Sequence, residues 1–474
     1  MIARPRTSPW TGSHDVRELQ LVAVLATVIM FVLLFMPLQT AILLAIVAAF
    51  AVLVMLDTWQ TVVVLLVVRS SLDVVEGVQV YGGLNLAGLL SALLVLTGLA
   101  HVAIYRVDLK RTPLVRPLCV LLGVWAVGVV LSSNPGASLQ DWLRGIGSFL
   151  LYVLMVDLVR EGGDERRSML VKAIIVSTLI PMSFGMFQFA TGTGNVFTPG
   201  FDRIRGTFVH PSPYAFYLLS VAPFAYVLAR HLRSGAGRVA LNVLVPVMLF
   251  CVVVTFTRIA WAGLVVTILV FAYIRNRSLV LPIILAFAAI AVLVPPVADR
   301  LSNASATSGT GGWRVTQWSD VLGLMAAWQL PFGIGLGSVA RLTGYAAHND
   351  YVRILAETGV AGSIAFAVVY YKLIRGVLTA LAGARTPLHR DLALAFLAVL
   401  VARLVMAFTD NIVDQPVLEW YFWSFAALIV SLPSFPGVRA QMPFVPTYHP
   451  SARPRTAAET PMATPGAMPA RHAR

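Results

Sequence analysis

The stretch LPIILAFAAIAVLVPPVA, residues 281–298, contains no charged residue and is long enough to cross a lipid bilayer as a helix. Similar apolar runs fill most of the chain: of its 474 residues, 58% are hydrophobic and only 12% are charged, and the mean hydropathy is +0.82. A soluble domain carries roughly 25% charged residues. The sequence therefore predicts an all-α, polytopic integral membrane protein.

Apolar runs of spanning length predict about 12–14 transmembrane helices. The candidate spans are 19–36, 38–56, 58–74, 84–105, 114–132, 142–159, 169–190, 212–229, 239–256, 258–274, 279–298, 356–374, 391–408 and 416–432. Four regions follow: residues 1–298 with the first eleven spans, a long outer loop at 299–355, the C-terminal spans at 356–435, and a tail at 436–474. The tail is rich in Pro, Ala and Arg, a composition typical of disorder.

The net charge of +14 is distributed between the apolar runs rather than along one face, which argues against nucleic acid as a partner. If the N-terminus is cytoplasmic, every segment on the inner side is basic, as the positive-inside rule expects. The loop 299–355 then lies outside, and its apolar positions from Trp313 onward have the spacing of an interfacial helix. Cys119 and Cys251 fall inside apolar runs and are interpreted as packing residues.

Several arginines lie at the predicted outer edge of the membrane, against the usual charge bias, and each therefore needs a reason. Those singled out are Arg203, Arg205, Arg258 and Arg314. Guanidinium groups bind phosphate oxygens bidentately, so together they indicate a pocket for a lipid-linked diphosphate. The plainer alternative is that each arginine reaches lipid headgroups or pairs with a carboxylate, and Arg300, Arg341 and Arg353 are assigned to it.

A polar cluster begins at His348, just before the predicted twelfth span. Asn349 or Asp350 is suited to capping the helix that follows. A histidine at a helix N-terminus is disfavoured as a cation by the helix dipole, so His348 can accept a proton as a general base. The alternative is an ordinary capping or interfacial histidine. Glu357 lies nine residues later on the opposite helix face and is not paired with it.

Four ordered blocks resemble the O-antigen ligase and O-antigen polymerase superfamily. His348-Asn349, nine residues, then Gly359-x-x-Gly362 is similar to the signature in the large periplasmic loop of O-antigen ligases. The segment RIRGTFVHPSPYAFYLL (203–219) resembles the arginine-Gly-x-Phe-x-x-Pro block, which includes Gly206 and Pro211. TFTRIAWAGL (255–264) resembles the Ser-Arg-Gly block, and WRVTQWSDVLGLMAAWQLPFGIGLG (313–337) resembles the Arg…Pro-x-x-Gly-x-Gly block with Gly333 and Gly335.

The resemblance implies a glycosyltransferase without metal or cofactor that takes a glycan from undecaprenyl diphosphate. Arg205 and Arg258 would then hold the diphosphate with help from Arg314, and Arg205 is preferred over Arg203 because Gly206 follows it directly. His348 would deprotonate the acceptor hydroxyl, and Asn349 would position His348. Asp410 and Asp414 could complete the site. The glycines of the GIGLG run (333–337) are interpreted as allowing a tight re-entry of the loop, since no βαβ context supports a dinucleotide site.

The partners implied are a lipid-linked glycan donor, a lipid or glycan acceptor, and membrane lipids, in a bacterial inner membrane with the site facing the periplasm. The single long outer loop favours a ligase over a polysaccharide polymerase or a protein O-oligosaccharyltransferase. From another class, a lipid-linked oligosaccharide flippase or secondary transporter would need charges near the bilayer midplane and repeated helix pairs. The spans have few central charges. Asp157 lies towards the cytoplasmic half of its span, and Arg403 lies towards the outer half of its span.

Overall fold

The structure is a computed structural model, and it describes residues 47–48, 50, 52–54, 57–75, 79–81, 84–198, 201–302 and 309–436. The predicted span 19–36, most of the span 38–56 and nearly all of the predicted tail at 436–474 lie outside the described residues. All described residues belong to one compact unit, Met1–Val438.

The first part of the described chain is a succession of helices interrupted by two short β-hairpins. The helices are α1 (Thr58–Arg69), α2 (Leu86–Tyr105), α3 (Val115–Leu131), α4 (Pro135–Val176), α5 (Leu179–Thr191), α6 (Pro211–His231), α7 (Ala236–Val254), α8 (Arg258–Arg275) and α9 (Val280–Leu293). The antiparallel hairpins are β1 (Gln79–Tyr81) with β2 (Leu84–Asn85), and β3 (Val196–Thr198) with β4 (Phe201–Arg203).

The second part begins with short helices and returns to long ones. The helices are α10 (Pro295–Ser302), α11 (Gly309–Gly323), α12 (Ser338–Thr343), α13 (Asp350–Ala382), α14 (Pro387–Met406) and α15 (Pro416–Val430). Short 3₁₀ turns occur at Leu72–Val75, Arg277–Leu279 and Ala327–Gln329. The interfacial helix expected from Trp313 onward begins at Gly309, and α13 begins at Asp350, six residues before the predicted span at 356–374.

Six described helical segments are long and apolar enough to cross a membrane: Gly88–Tyr105, Pro135–Thr191, Pro211–His231, Ala236–Val254, Arg258–Arg275 and Asp350–Ala382. Four shorter apolar helical segments accompany them, at Thr58–Arg69, Val115–Leu131, Arg277–Leu293 and Pro416–Val430. The protein is therefore a helical, polytopic membrane protein, as the composition predicts.

Two glycines break long helices and let the chain turn without leaving helical structure for long. Gly163 has a φ of 58° and divides α4, so a one-residue break replaces the loop expected between the spans 142–159 and 169–190. Gly359, with a φ of 66°, divides α13 in the same way. These left-handed backbone conformations are accessible to glycine at little cost.

The helix bundle has two ends that differ in chemistry. We call the end that carries the β3–β4 hairpin the hairpin end; the α7–α8 turn meets it there, where Arg203 donates to the carbonyl of Thr255. The opposite, basic end carries the arginine-rich turns. Its elements are tied by ion pairs from His231 (2.8 Å) and Arg275 (2.7 Å) to Asp391.

Helix α15 lies at the centre of the bundle, because every side chain from Val417 to Val430 is buried. Phe425 stacks on Phe224 of α6 with ring centroids 3.8 Å apart. The buried Arg403 of α14 forms an ion pair with Glu419 of α15, so the two charges within these apolar helices compensate each other.

Candidate functional site

A re-entrant loop, Leu330–Leu336, inserts beside the break in α13. The left-handed Gly359 removes the regular helical partners of neighbouring backbone groups, and the loop replaces them. The hydrogen bonds are Val360 N to Leu330 O (2.9 Å), Ala361 N to Pro331 O (3.0 Å), Ile334 N to Ala356 O (2.8 Å) and Gly335 N to Glu357 O (3.1 Å). Buried backbone groups need such partners, so loop and broken helix depend on each other.

Close approach explains the glycines of both motifs. A Cβ at Gly333 would lie 2.4 Å from the carbonyl carbon of Glu357, and one at Gly359 would lie 2.5 Å from the backbone nitrogen of Phe332. Gly335 packs in the same way on Ser132, at 2.4 Å from its Cα. The GIGLG run therefore packs closely on α13 and on Ser132.

The second glycine of the His348 signature, Gly362, lies one turn beyond the break in α13 and is buried. The helical turn before it carries Thr358, whose hydroxyl bonds the carbonyl of Ile354 at 2.7 Å. A Cβ at Gly362 would collide with that hydroxyl. This glycine accordingly supports the local packing of α13.

Asn349 caps α13 and fixes the direction of the chain beside His348. Its side-chain oxygen accepts hydrogen bonds from the backbone nitrogens of Tyr351 (2.9 Å) and Val352 (3.1 Å), and its own N–H donates to the side chain of Asn411 (3.0 Å). His348 has a φ of 49°, a left-handed conformation that is uncommon outside glycine. Strain of this kind is often found at functional sites.

The imidazole of His348 faces Asp410, which follows α14. Its Nδ1 lies 3.7 Å from the Asp410 Oδ1 and, within the described part of the chain, makes no hydrogen bond. The side chain of His348 remains 35% exposed. A small approach of the carboxylate would complete a His–Asp pair, the arrangement that orients a general base.

Asp410 is held in place by a buried carboxylate two residues after the histidine. Both Ile412 N and Val413 N donate to the Asp350 Oδ2, at 2.8 and 3.0 Å. The other oxygen of Asp350 pairs with Arg353 at 3.0 Å. The start of α13 and the segment after α14 therefore form one unit.

Four arginines from separate segments gather at the hairpin end, close to Asp410. The guanidinium group of Arg203 donates to Thr255 O (2.8 Å) and to Thr257 Oγ1 (2.9 Å). Arg258 Nη1 lies 3.3 Å from the Arg300 carbonyl, and the Nε of Arg300 donates to Phe256 O at 3.2 Å. We call Arg203, Arg258, Arg300 and Arg314 the arginine cluster.

The charges of the cluster act on one another. Burial, followed by the positive charge of Arg300, lowers the pKa of Arg203 to about 10, while Asp410 opposes the shift. Burial also lowers the pKa of Arg314, again opposed by Asp410. Arginine remains protonated at neutral pH in both cases. The cluster is thus a concentration of positive charge that a bound anion would stabilise.

Arg203, rather than the preferred Arg205, is the arginine that interacts electrostatically with Arg258 and Arg300. The guanidinium group of Arg205 turns back to Val209 O at 3.1 Å, away from the Thr255–Thr257 turn that Arg203 binds. Its backbone N–H and that of Gly206 both donate to the side chain of Gln188, at 2.9 Å. The residue therefore belongs to a turn that supports β4.

Gly206 and Pro211 shape the connection from that turn to α6. Gly206 has a φ of 58°, and a Cβ there would lie 2.7 Å from the carbonyl of Pro181. Pro211 begins α6, where its missing N–H costs nothing. Both residues thus shape the local backbone between β4 and α6.

Arg300 is the one cluster member that the sequence interpretation assigned to headgroups or ion pairing. It follows the apolar run 281–298 directly, so the edge-of-membrane argument applied to Arg314 would also have selected it. Arg353 and Arg341 do pair with carboxylates: Arg353 with Asp350 and Glu357, and Arg341 with Asp141 at 3.3 Å.

Fold and site together define a polytopic helical membrane protein with an arginine cluster beside a His–Asp pair at one end of its bundle. Residues 243–367 match the family model Wzy_C, described as O-antigen ligase, and this match supports the resemblance of the chain to the O-antigen ligase superfamily. The match includes Arg258, Arg314 and His348 but neither Arg203 nor Asp410. No curated protein matches the chain. The family match supports a membrane glycosyltransferase of the ligase and polymerase type.

Proposed function

We propose that the protein transfers a glycan from undecaprenyl diphosphate to an acceptor hydroxyl, at the periplasmic face of a bacterial inner membrane. The observation that carries the proposal is the arginine cluster next to His348 and Asp410. A diphosphate needs several cationic donors in one place, and a hydroxyl acceptor needs a base within reach of it.

The donor diphosphate would occupy the arginine cluster. Arg203 uses two N–H groups on Thr255 and Thr257, which fixes its plane and leaves its other N–H groups for phosphate oxygens. As the bond from the anomeric carbon to the phosphate oxygen breaks, its electron pair goes to the diphosphate. Fixed positive charges stabilise that leaving group without reorganisation, which is usually the largest catalytic contribution.

His348 would accept the proton of the acceptor hydroxyl while its oxygen forms the new bond to the anomeric carbon. Asp410 would stabilise the imidazolium that results and hold the ring. Attack opposite to the leaving diphosphate inverts the anomeric configuration. Asn349 contributes by fixing the chain on which His348 sits.

The activity is tested with purified protein in lipid nanodiscs and an undecaprenyl-diphosphate-linked oligosaccharide. Wild type is expected to transfer the glycan, and the His348→Ala and Arg258→Ala variants are expected to lose transfer while remaining folded. Normal transfer by both variants would contradict the proposed site. Three acceptors are offered in parallel: a lipid A–core, a second lipid-linked glycan, and a peptide containing serine and threonine.

The outcome with these acceptors separates the members of the superfamily. Product on lipid A–core indicates a ligase, which we favour because, in the part of the chain that the structure describes, one long segment, between Leu293 and Asp350, separates apolar helices at the hairpin end. Product on the second donor indicates a polymerase, and product on the peptide indicates a protein O-oligosaccharyltransferase. Movement of the donor between leaflets without any transfer would indicate a flippase.

A further inference from the structure

We propose that a groove between α7 and α8 receives the polyprenyl chain of the lipid-linked donor, an inference that rests on the proposed function. The groove has a volume of about 330 Å³. Val245 and Leu249 of α7 form one wall, and Leu264 and Ile268 of α8 form the other. Apart from Tyr226, Thr267 and Arg275, whose guanidinium group pairs with Asp391, the lining is apolar and suits a branched hydrocarbon chain.

The groove exists because α7 and α8 diverge. The two helices are joined at the hairpin end by the short turn Thr255–Thr257. From there α7 packs along α6, whereas α8 packs along α14, and the two touch each other only sparsely. The space between them therefore widens towards the basic end, with α6 as its floor and Leu219 and Pro223 among the floor residues.

One face of α8 leads from this groove to the arginine cluster. Thr257, Leu264 and Phe271 are spaced seven residues apart, so they lie close to one line along the helix. Leu264 and Phe271 line the groove, and Thr257 accepts the hydrogen bond from Arg203. If the diphosphate of the donor binds Arg203, the polyprenyl chain begins beside Thr257 and can follow this face of α8 into the groove.

The distance from the arginine cluster to the far end of the groove distinguishes a polyprenyl chain from an ordinary acyl chain of the same leaflet. On α8 the groove itself is lined from Leu264 to Arg275. Arg275 at its far end lies 18 positions after Thr257, which corresponds to about 27 Å of helix. Half of a hydrocarbon core is only about 15 Å thick. An acyl chain anchored at the hairpin end would stop near the middle, whereas a polyprenyl chain reaches the far end.

The test uses a diazirine-bearing undecaprenyl diphosphate without sugar, bound to the full-length protein in nanodiscs and crosslinked by light. Labelled peptides are expected on the groove walls at Val245 and Ile268. Val245→Trp should fill the groove and lower this labelling by about fivefold, since only packing favours the groove over surrounding lipid. Val243→Trp is the matched control, because Val243 lies two residues away on α7 and is 60% exposed.

Ile268→Trp, on the opposite wall, repeats the test if the first variant does not fold. Equal labelling in the Val245 and Val243 variants would overturn the proposal. So would equal labelling of the groove by a diazirine phospholipid, because the groove would then be ordinary lipid boundary.

Transfer from the glycan-linked donor is measured in parallel discs to keep the two proposals apart. Groove labelling that Val245→Trp abolishes, without transfer by wild type, would contradict the proposed function and leave the lipid groove standing. Transfer by wild type with labelling spread evenly over α7 would support the transferase and reject the groove.

Discussion

Replacing Arg203 by alanine should abolish most glycan transfer from the lipid-linked donor, whereas the same change at Arg205 should not. The two residues are two positions apart, both are partly exposed, and both lie between β4 and α6. Arg203 is fixed to the α7–α8 turn by its bonds to Thr255 and Thr257 and interacts electrostatically with Arg258 and Arg300, whereas the guanidinium group of Arg205 bonds Val209 O.

The expected size of the rate loss follows from the hydrogen-bond donors that the Arg203→Ala variant lacks. Removing one preorganised donor to a developing anion lowers the rate by about 10²–10³, or roughly 2.7–4 kcal/mol. Arg203 can offer more than one N–H to the diphosphate, so the upper part of that range applies. For Arg205, whose guanidinium group bonds the Val209 carbonyl, we expect less than about threefold, the range of a single exposed contact.

The assay is kcat/KM for the lipid-linked donor in nanodiscs at fixed acceptor concentration. Arg203→Lys keeps the charge but loses the planar fork, so it should recover only part of the activity. Competition by undecaprenyl diphosphate gives an independent measure of binding. An Arg205→Ala variant as impaired as Arg203→Ala, with both folded, would refute the assignment of the donor site to the arginine cluster.

Four further outcomes are expected. His348→Ala should reduce kcat by about 10²–10⁴ with little change in donor competition, as loss of a general base requires; unchanged kcat would exclude the role. Asp410→Asn should reduce kcat less than His348→Ala, and a larger loss would mean that Asp410 binds substrate directly. Arg300→Ala should weaken donor competition measurably, although sequence reasoning set this residue aside. Gly359→Ala should lower the free energy of unfolding by about 3 kcal/mol or more, because of strain at a φ of 66° and a clash with the re-entrant loop. Gly323→Ala, with open space around the residue, should change the free energy of unfolding by less than about 0.5 kcal/mol.

The sequence alone was sufficient for the membrane class, and for the candidate status of His348, Arg258 and Arg314. These depend on local properties: apolar length, charge at a membrane edge, and the order of short motifs. A helix cap at Asn349 or Asp350 could also be predicted, because capping involves only neighbouring residues, and the structure assigns it to Asn349. The motif positions of Gly333 and Gly359 indicated an unusual backbone conformation, but they did not indicate which segment each glycine contacts.

Helix packing decided what local rules could not. Arg203 and Arg205 have the same chemistry, and only the position of the α7–α8 turn shows that Arg203 is the one anchored beside Arg258. Asp410 acquires its place from Asp350, 60 positions earlier in the chain, through hydrogen bonds to the segment between α14 and α15. The groove between α7 and α8 likewise depends on tertiary packing, because α7 packs along α6 whereas α8 packs along α14. Contacts between distant segments arise from the packing of whole helices, and apolar composition specifies that a helix is buried in lipid or protein without specifying beside which partner.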